Sequence, residues 1–430
     1  MTVNVIGAGL AGCEACYQLS KRGVHVRLYE CKPNVKSPAH HADTFAELVC
    51  SNSLKSDDIS TASGLLKAEL RRMDSLLIGI ADEVKVPAGS ALAVNRELFT
   101  AKVTEYIRND DNIEIIPTLV GDWSDDEITI IATGPLTISA LADKIAEKMG
   151  ESLHFFDAAA PIIAGDSIDY DSAFVGDRYG KGTGDYVNCP MNKEEYLRFY
   201  DALVNAERAT LHDFEKKDVF EGCMPVEIMA ARGVDTLRFG PLRPVGFFGR
   251  NGEKPYAVLQ LRRENAEGDM FNLVGFQTNL TFPEQKRVFS LIPALKNAEF
   301  LRYGVMHRNS FINAPKTINA YFQVKNRPKT FIAGQLSGVE GYVESIASGL
   351  MCGINAERLL SAKPLIRLPK TTIIGALSSY LESENEDFQP MNANFGILPP
   401  LENKTRDKVK NKLLYGDRSL KDLEKTILYV

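Results

Sequence analysis

The sequence has no long hydrophobic run, no regular cysteine spacing and no excess of basic residues. Because no stretch of 18 apolar residues occurs, a membrane-spanning helix is excluded. The first residues already read as an apolar strand, so we expect no secretory leader. The 430 residues, 44% of them hydrophobic, suffice for two or three domains or for one large domain with an insertion.

The cysteines do not form a disulfide framework. They are scattered over the whole chain, at Cys13, Cys16, Cys31, Cys50, Cys189, Cys223 and Cys352. This scatter is typical of reduced thiols and predicts a cytoplasmic protein. Cys13 and Cys16 have the C-x-x-C spacing of redox and metal sites, but no second ligand pair has suitable spacing. We therefore predict that these two pack against a sheet, and we expect no metal site.

The formal net charge of -6 argues against a surface coated in basic residues. Contacts with nucleic-acid phosphates need clustered arginine and lysine rather than a net positive charge. Any role on RNA therefore depends on local basic patches.

A dinucleotide-binding pattern stands at the N-terminus. Gly7-x-Gly9-x-x-Gly12 follows an apolar strand and opens a helix predicted over residues 10–22. The first glycine permits the tight turn, the second lets backbone approach a pyrophosphate, and the third lets the helix pack closely on the sheet. Glu30 ends the next strand. A carboxylate at this position accepts hydrogen bonds from ribose hydroxyls and disfavours a ligand that carries a 2′-phosphate. The predicted ligand is FAD or NAD, bound by Gly7, Ala8, Gly9, Leu10, Ala11, Gly12 and Glu30.

A second glycine-rich segment lies more than 300 residues later. The strand at 330–333 runs into several glycines and then a helix predicted over residues 343–360, which again directs backbone N–H groups at a ligand. A weaker sign of the same fold is the turn at Gly134, which follows a strand predicted over 127–132. The candidate residues of the second segment are Gly334, Gln335, Gly338, Gly341 and Tyr342. Together these segments favour FAD over NAD as the resident cofactor.

Two cysteines have polar settings. Cys50 lies in a polar loop, and Cys223 lies between Gly222 and Pro225. A thiolate is a good Michael nucleophile when nearby basic groups or helix N-termini lower its pKa. Inert packing is the alternative for each thiol.

The order of these segments predicts the fold class α/β. We expect a Rossmann-like FAD-binding domain formed by residues 1–150 and 305–403, with an inserted α+β domain at 151–304. Strands are predicted at 256–261 and 272–276 within the insertion. The C-terminal tail, 404–430, is predicted to be helical, with helices at 404–414 and 420–428.

Four segments together resemble the folate- and FAD-dependent tRNA (uracil-5-)-methyltransferases. They are Gly7-x-Gly9-x-x-Gly12, Leu48-Val49-Cys50-Ser51-Asn52-Ser53, Phe220-Glu221-Gly222-Cys223-Met224-Pro225 and Ala333-Gly334-Gln335-x-x-Gly338-x-x-Gly341-Tyr342. The stretch from Leu237 to Gly246, with its Arg-Phe-Gly-Pro sequence, and the stretch from Val274 to Leu280 also look like that family. The resemblance extends to about residue 400. The glycine segments are shared with a related flavoprotein that modifies the tRNA wobble uridine, whereas the cysteine motifs are specific.

The resemblance implies methylation of uracil C5 to 5-methyluridine, with position 54 of the tRNA T-loop as the expected target. It implies methylenetetrahydrofolate as carbon donor, reduced FAD as electron donor, and NADH or NADPH as reductant. Cys223 is similar to the nucleophile that adds to uracil C6, and Cys50 to a second cysteine near the flavin. Three alternatives stay open: a ribosomal RNA uridine as the target, a flavin-dependent oxidoreductase acting on a small molecule, and a non-catalytic FAD-containing RNA-binding or folding factor.

An RNA substrate requires basic contacts, because its phosphates dominate affinity. Arginine suits bidentate phosphate contact. The candidate RNA-binding residues are Arg71, Arg72, Arg238, Arg243, Arg262, Arg263, Arg302 and Arg308. A solvated surface charge is the alternative for each. The oligomeric state does not follow from the sequence.

Overall fold

The computed structural model describes residues 2–37, 39–150, 153–180, 184–209, 224–248, 254–386 and 388–428. The strands of this part of the chain are β1 (Thr2–Ile6), β2 (His25–Tyr29), β3 (Ser53–Ser56), β4 (Lys85–Val86), β5 (Ala91–Val94), β6 (Ile113–Ile116), β7 (Thr129–Ile131), β8 (Leu153–Ala158), β9 (Ile162–Ala164), β10 (Phe174–Val175), β11 (Tyr186–Met191), β12 (Ala257–Arg263), β13 (Met270–Leu273), β14 (Phe300–Arg302), β15 (Met306–Phe311), β16 (Gln323–Val324) and β17 (Arg327–Ile332). The α-helices are α1 (Leu10–Ser20), α2 (Ala62–Arg72), α3 (Leu76–Glu83), α4 (Arg96–Arg108), α5 (Ser139–Met149), α6 (Lys193–Val204), α7 (Val226–Ala230), α8 (Thr236–Phe239), α9 (Phe282–Phe289), α10 (Ala314–Thr317), α11 (Tyr342–Leu360), α12 (Ile373–Glu382) and α13 (Lys408–Ile427).

A six-stranded sheet carries the N-terminal glycine pattern. Its strand order is β16-β17-β7-β1-β2-β6, and all neighbours are parallel except β16, which runs antiparallel to β17. Strand β1 is apolar because a central parallel strand is covered on both faces, and Val3 and Val5 are fully buried. The unit β1-α1-β2 is the β-α-β crossover predicted from the sequence, and the α/β fold class is confirmed.

The chain segments on either side of the insertion share one hydrophobic core. Buried residues between 3 and 145 pack in the same cluster as buried residues between 311 and 423. Strand β17 pairs in parallel with β7, and α1 and α11 make a long helix–helix contact. The two glycine segments, distant in sequence, therefore meet in this core.

The insertion builds a second sheet and a second core. This sheet has six strands in the order β10-β11-β12-β13-β9-β14, all antiparallel pairs. Helices α6 and α9 pack on it, and the core residues run from Ile163 to Ala298. Strands β8 and β15 form an antiparallel ribbon where the chain enters and leaves this region.

Several predicted elements have different bounds in the structure. The strand predicted at 272–276 is β13, which ends at Leu273, because the chain turns at Gly275 with φ of +77°. The two helices predicted in the tail are one helix, α13, which continues through the buried Gly416. A glycine in a helix interior costs about 1 kcal/mol, and a Cβ added at Gly416 would make ordinary contact with Ile59 at 3.5 Å.

A buried carboxylate joins three helices of the first core. Glu69 in α2 accepts hydrogen bonds from the N–H groups of Ile373 and Ile374 at the start of α12, and from Ser419 Oγ in α13. Burial raises the pKa of Glu69 to about 7. Within the described ranges, no helix is both long and apolar enough to cross a bilayer.

Candidate functional site

The turn between β1 and α1 brings backbone close to two other segments. Gly7 has φ of +100°, and a Cβ added there would lie 2.8 Å from the Ala132 carbonyl oxygen. A Cβ on Gly12 would lie 1.8 Å from the Gly7 carbonyl oxygen, so only glycine fits. No side chain caps α1, which begins after Gly9. An uncapped helix N-terminus provides N–H donors and partial positive charge for a phosphate group.

The second glycine segment reaches this turn through helix packing. A Cβ on Gly349 of α11 would lie 2.1 Å from the Ala11 carbonyl oxygen, so the two helix backbones are in direct contact. Gly334 lies at the same place, where an added Cβ would be 3.2 Å from Ala11 Cβ. Gly338 packs instead against Phe388. The structure thus places α1 and α11 side by side, with their N-terminal ends flanking one site.

A cleft that opens to solvent lies over the first turn, and about 710 Å³ of empty space, part of it open solvent, is found there. Its walls include Gly7, Ala8, Gly9, Glu30, Ala132 and Thr133, and Gly134 follows directly after this wall. Glu30 accepts hydrogen bonds from the N–H groups of Ala8 (2.7 Å) and Lys32 (2.9 Å). Each carboxylate oxygen has a second lone pair, which can accept a ribose hydroxyl. Leu10 and Ala11 are buried beneath the turn.

A second cavity, of about 1140 Å³, lies on the side of α11. Leu136 lines both cavities, so they adjoin. The second one is lined by Cys50, Lys55, Gln277, Gln335, Gly341, Tyr342 and Glu344, among others. The paired cavities suit an extended dinucleotide with a further ligand beside it, and Cys50 is the described thiol that faces this second space.

The loop that contains Cys50 (residues 49–52, the Cys50 loop) is hydrogen-bonded to α11. Both the Cys50 N–H and the Ser51 N–H donate to the Tyr342 hydroxyl, at 2.7 and 3.2 Å. Burial, and then the charge of Cys50, raise the pKa of this hydroxyl. The hydroxyl therefore stays protonated, and its oxygen accepts the hydrogen bonds from the two N–H groups of the loop.

Two arginines of the insertion hold the same loop. Arg262 donates to Ser51 Oγ at 2.6 Å and to Asn52 Oδ1 at 3.0 Å. Arg302 donates to the Val49 carbonyl at 2.7 Å. Burial is the largest cause that lowers the pKa of both guanidinium groups. Because Arg262 is only 7% exposed, the structure places it within the protein rather than on the basic surface that the sequence suggested.

The other candidate arginines have varied settings. Arg71 pairs with Asp57 and Asp82, and Arg72 pairs with Glu424. Arg238 donates to Asp235 and to the Tyr256 carbonyl. Arg243 is exposed, Arg263 is half-buried, and the side chain of Arg308 lies outside the described part. Among the described side chains of this set, Arg72 and Arg243 are exposed, and Arg72 is paired with Glu424.

Cys223 lies outside the described residues. The chain is described again from Met224, which is buried, and the Val226 N–H donates to the Gln277 carbonyl at 2.7 Å. Gln277 lines the second cavity. The residues that follow Cys223 are therefore attached to the wall of the cavity that contains Cys50.

Cys13 and Cys16 are fully buried in α1, and burial raises the pKa of both thiols. Over the described ranges, no group of three or more His, Cys, Asp or Glu side chains could hold a metal ion.

The sequence patterns missed one polar group of the second cavity. Glu344 is 1% exposed; its Oε1 accepts from the Ala393 N–H at 2.9 Å and from Lys55 Nζ at 3.4 Å. Its Oε2 has no hydrogen-bond partner among the described residues. A buried carboxylate oxygen without a partner is costly, so it fits a donor supplied by a ligand. Its position in the first turn of α11 was the available signal.

The comparison with protein families supports a single assignment along most of the chain. Residues 2–364 match the family described as glucose inhibited division protein A. A solved structure of Aquifex aeolicus GidA superposes with a TM-score of 0.73 at 15% identity, covering 99% of this chain and 73% of that one. At that identity the likeness shows the fold alone.

Close relatives cover the full length. The chain is 56% identical to the methylenetetrahydrofolate--tRNA-(uracil-5-)-methyltransferase TrmFO of Acetivibrio thermocellus, over 99% of this chain and 98% of that protein. The proteins of the same name from Natranaerobius thermophilus and Lactiplantibacillus plantarum are 55% and 53% identical, again over at least 96% of each chain.

Proposed function

This chain belongs to the family described as glucose inhibited division protein A, and it belongs with the methylenetetrahydrofolate--tRNA-(uracil-5-)-methyltransferases. From this membership we infer that it methylates uracil C5 in tRNA. The observation that carries the inference is identity above 50% over nearly the whole chain. The two adjoining cavities agree with it, because the reaction needs a flavin, a folate and a base in one place.

The residues present fit FAD. The turn from Gly7 to Gly12 and the N-terminus of α1 would hold the pyrophosphate, and Glu30 would accept the ribose hydroxyls. Gln335, in the segment before α11, and Tyr342, the first residue of α11, would contact the ring system of the flavin beside Cys50. When bound and reduced by NADH or NADPH, FAD supplies the electrons that convert the methylene unit of methylenetetrahydrofolate into a methyl group.

The role proposed for Cys223 is nucleophilic. Its thiolate adds to C6 of the target uracil, which makes C5 an enolate carbon able to attack the methylene unit. Loss of the C5 proton then expels tetrahydrofolate and leaves an exocyclic methylene group on C5. Addition of a hydride equivalent to this methylene completes the methyl group as the C6–S bond breaks and the thiolate is restored. Three residues of chain span at most about 11 Å, so a thiol three positions before Val226 can reach this cavity.

The role proposed for Cys50 is at the folate and flavin side. Its loop is held by Tyr342, Arg262 and Arg302, which keeps the thiol at the cavity wall. A rigidly positioned group is what transfer of the C5 proton or handling of the methylene unit requires.

The test uses the FAD-loaded protein, NADPH, methylenetetrahydrofolate with a labelled methylene carbon, and an unmodified tRNA transcript. We expect labelled 5-methyluridine at position 54 and none in a transcript with cytidine there. Cys223→Ala should keep FAD and lose the product. Cys189→Ala, which removes a buried thiol of the insertion core, should keep both.

Three outcomes would contradict the proposal. Formation of 5-methyluridine by the Cys223→Ala variant would show that Cys223 is not the nucleophile. Product only on ribosomal RNA would replace tRNA as the substrate. NADPH consumption without any methylated RNA would indicate an oxidoreductase instead.

A further inference from the structure

Four large apolar side chains of the insertion are exposed. Phe239, at the end of α8, is 84% exposed, and Phe248 is 61% exposed. Tyr179 and Val245 are also exposed. We call these four residues the aromatic surface. Single exposed apolar residues are ordinary, but a cluster of large ones marks an interaction site.

The fold holds this surface in place. The Tyr179 N–H donates to the Gly246 carbonyl at 2.9 Å. Arg178 donates to the carbonyls of Arg243 and Val245 at 3.0 and 2.6 Å. These bonds join the chain near residue 179 to the chain near residue 245, so the surface is a preformed part of the insertion.

Neighbouring residues fix the direction of the Phe239 ring. Leu237 is fully buried in the insertion core. Arg238 packs over the Tyr256 ring, 3.6 Å from its centroid, and donates to the Tyr256 carbonyl. Because the side chains of Leu237 and Arg238 both pack against the protein, the Phe239 side chain projects into solvent.

The turn that follows Phe239 packs beside the wall of the second cavity. A Cβ added to Gly275 would lie 2.6 Å from Pro241 Cβ, so this turn contacts the turn at Gly275. Gln277, two residues further along, lines the cavity with Cys50. Phe239 therefore lies two residues before a turn that is joined to the cavity wall.

The chemistry of the surface matches an unpaired nucleobase. Proteins bind single-stranded RNA by stacking bases on aromatic rings while arginines contact the phosphates. Phe239 offers an exposed ring, and Arg243 is an exposed guanidinium four residues away.

We propose that Phe239 stacks on an unpaired base of the substrate RNA next to the target uridine, while Arg243 contacts a neighbouring phosphate. This inference rests on the proposed function, since it takes RNA as the substrate. Phe239 is then a positioning residue, which holds the loop while the target base enters the cavity. An unpaired base is required because a base inside a duplex has no free face.

Three variants of Phe239 distinguish stacking from general apolar contact. Binding of the unmodified tRNA transcript to the FAD-loaded protein is measured by fluorescence anisotropy. Phe239→Ala and Phe239→Leu should weaken binding about 5- to 100-fold, in line with the usual contribution of one stacked base. Phe239→Trp should stay within about twofold of the wild type, because its ring also stacks. The KM for tRNA should rise with the dissociation constant, while kcat at saturating tRNA changes little.

Salt dependence separates the two residues. Stacking releases no counterions, so Phe239→Ala should leave the slope of log Kd against log salt unchanged. Arg243→Ala should reduce the magnitude of that slope by about the amount expected for the loss of one phosphate contact. Leu428→Ala, which removes an 83% exposed apolar side chain at the end of α13, is the matched control and should bind tRNA as the wild type does.

Wild-type affinity in Phe239→Ala or in Phe239→Leu would overturn the inference. So would loss of a dimer in sedimentation of Phe239→Ala, which would identify the surface as a contact between copies of this chain. The flavin absorbance of each variant reports whether it folds. If the wild type neither binds nor methylates tRNA, the proposed function fails; if the wild type does both and Phe239→Ala does too, only this inference fails.

Discussion

Replacing Gly349 by alanine should push α1 and α11 apart. The added Cβ would lie 2.1 Å from the Ala11 carbonyl oxygen, whereas real Cβ atoms are essentially never closer than 3.0 Å, so the backbones would have to separate by about 0.9 Å. The obstructing atom belongs to the backbone of α1, which cannot rotate away as a side chain would. The turn at Gly7–Gly12, which we propose holds the FAD pyrophosphate, leads into α1, so the shift reaches the proposed cofactor site.

The expected magnitude follows from two opposing effects. Alanine gains about 1 kcal/mol of helix propensity over glycine. Overpacking a core costs about 1–3 kcal/mol or more, and a gap of 0.5–1 Å along the rest of the interface forfeits roughly a quarter to a half of each dispersion contact. The difference is a net destabilisation of up to about 2 kcal/mol, to which the lost dispersion contacts add. We expect FAD affinity to fall by about tenfold for each 1.4 kcal/mol that reaches the site.

The assay is urea unfolding followed by flavin release, together with titration of the apoprotein with FAD. Gly79→Ala is the matched control, because Gly79 is an exposed glycine in α3 and an added Cβ there meets no atom within 4 Å. That variant should be more stable by about 0.5–1 kcal/mol. Equal stabilisation by both substitutions would refute the close contact between α1 and α11.

Two further predictions concern buried charges. Arg262→Met should keep FAD but lower the methylation rate at least tenfold, because it removes the two hydrogen bonds that Arg262 donates to Ser51 and Asn52; unchanged turnover would show that this contact does not position the loop. The raised pKa of Glu69, about 7, means that the folded state holds this proton more tightly than the unfolded state. Its stabilising effect is full below about pH 4.3 and is lost by pH 7, by about 3 kcal/mol. Glu69→Gln should therefore flatten urea stability measured between pH 5 and 7.5, and an unchanged pH profile would contradict the assignment.

Local residue chemistry explains what could be predicted. A turn that needs positive φ or close backbone approach requires glycine at Gly7 and Gly12, and the adjoining strand and helix are short-range patterns. The Cys50 and Cys223 segments and the Arg-Phe-Gly-Pro stretch were recognisable without coordinates. Their chemistry therefore pointed to the reaction before the site could be assembled.

Contacts between distant segments escaped prediction. Arg262 and Arg243 are both arginines that follow a leucine, and the sequence gives no sign that only one of them is buried. In the structure the first is buried against Asn52, 210 residues earlier, and the second is exposed. Side-chain type does not encode that difference, because it depends on which strand of the insertion faces the first domain.

The sequence by itself determined the dinucleotide turn, the acidic residue at Glu30 and the family, because each depends on residues close together in the chain. Only the tertiary structure decided that α11 packs on α1 through Gly349, that insertion arginines hold the Cys50 loop, and that Phe239 projects into solvent. These features result from the packing of segments hundreds of residues apart, and short-range periodicity carries no information about which faces meet.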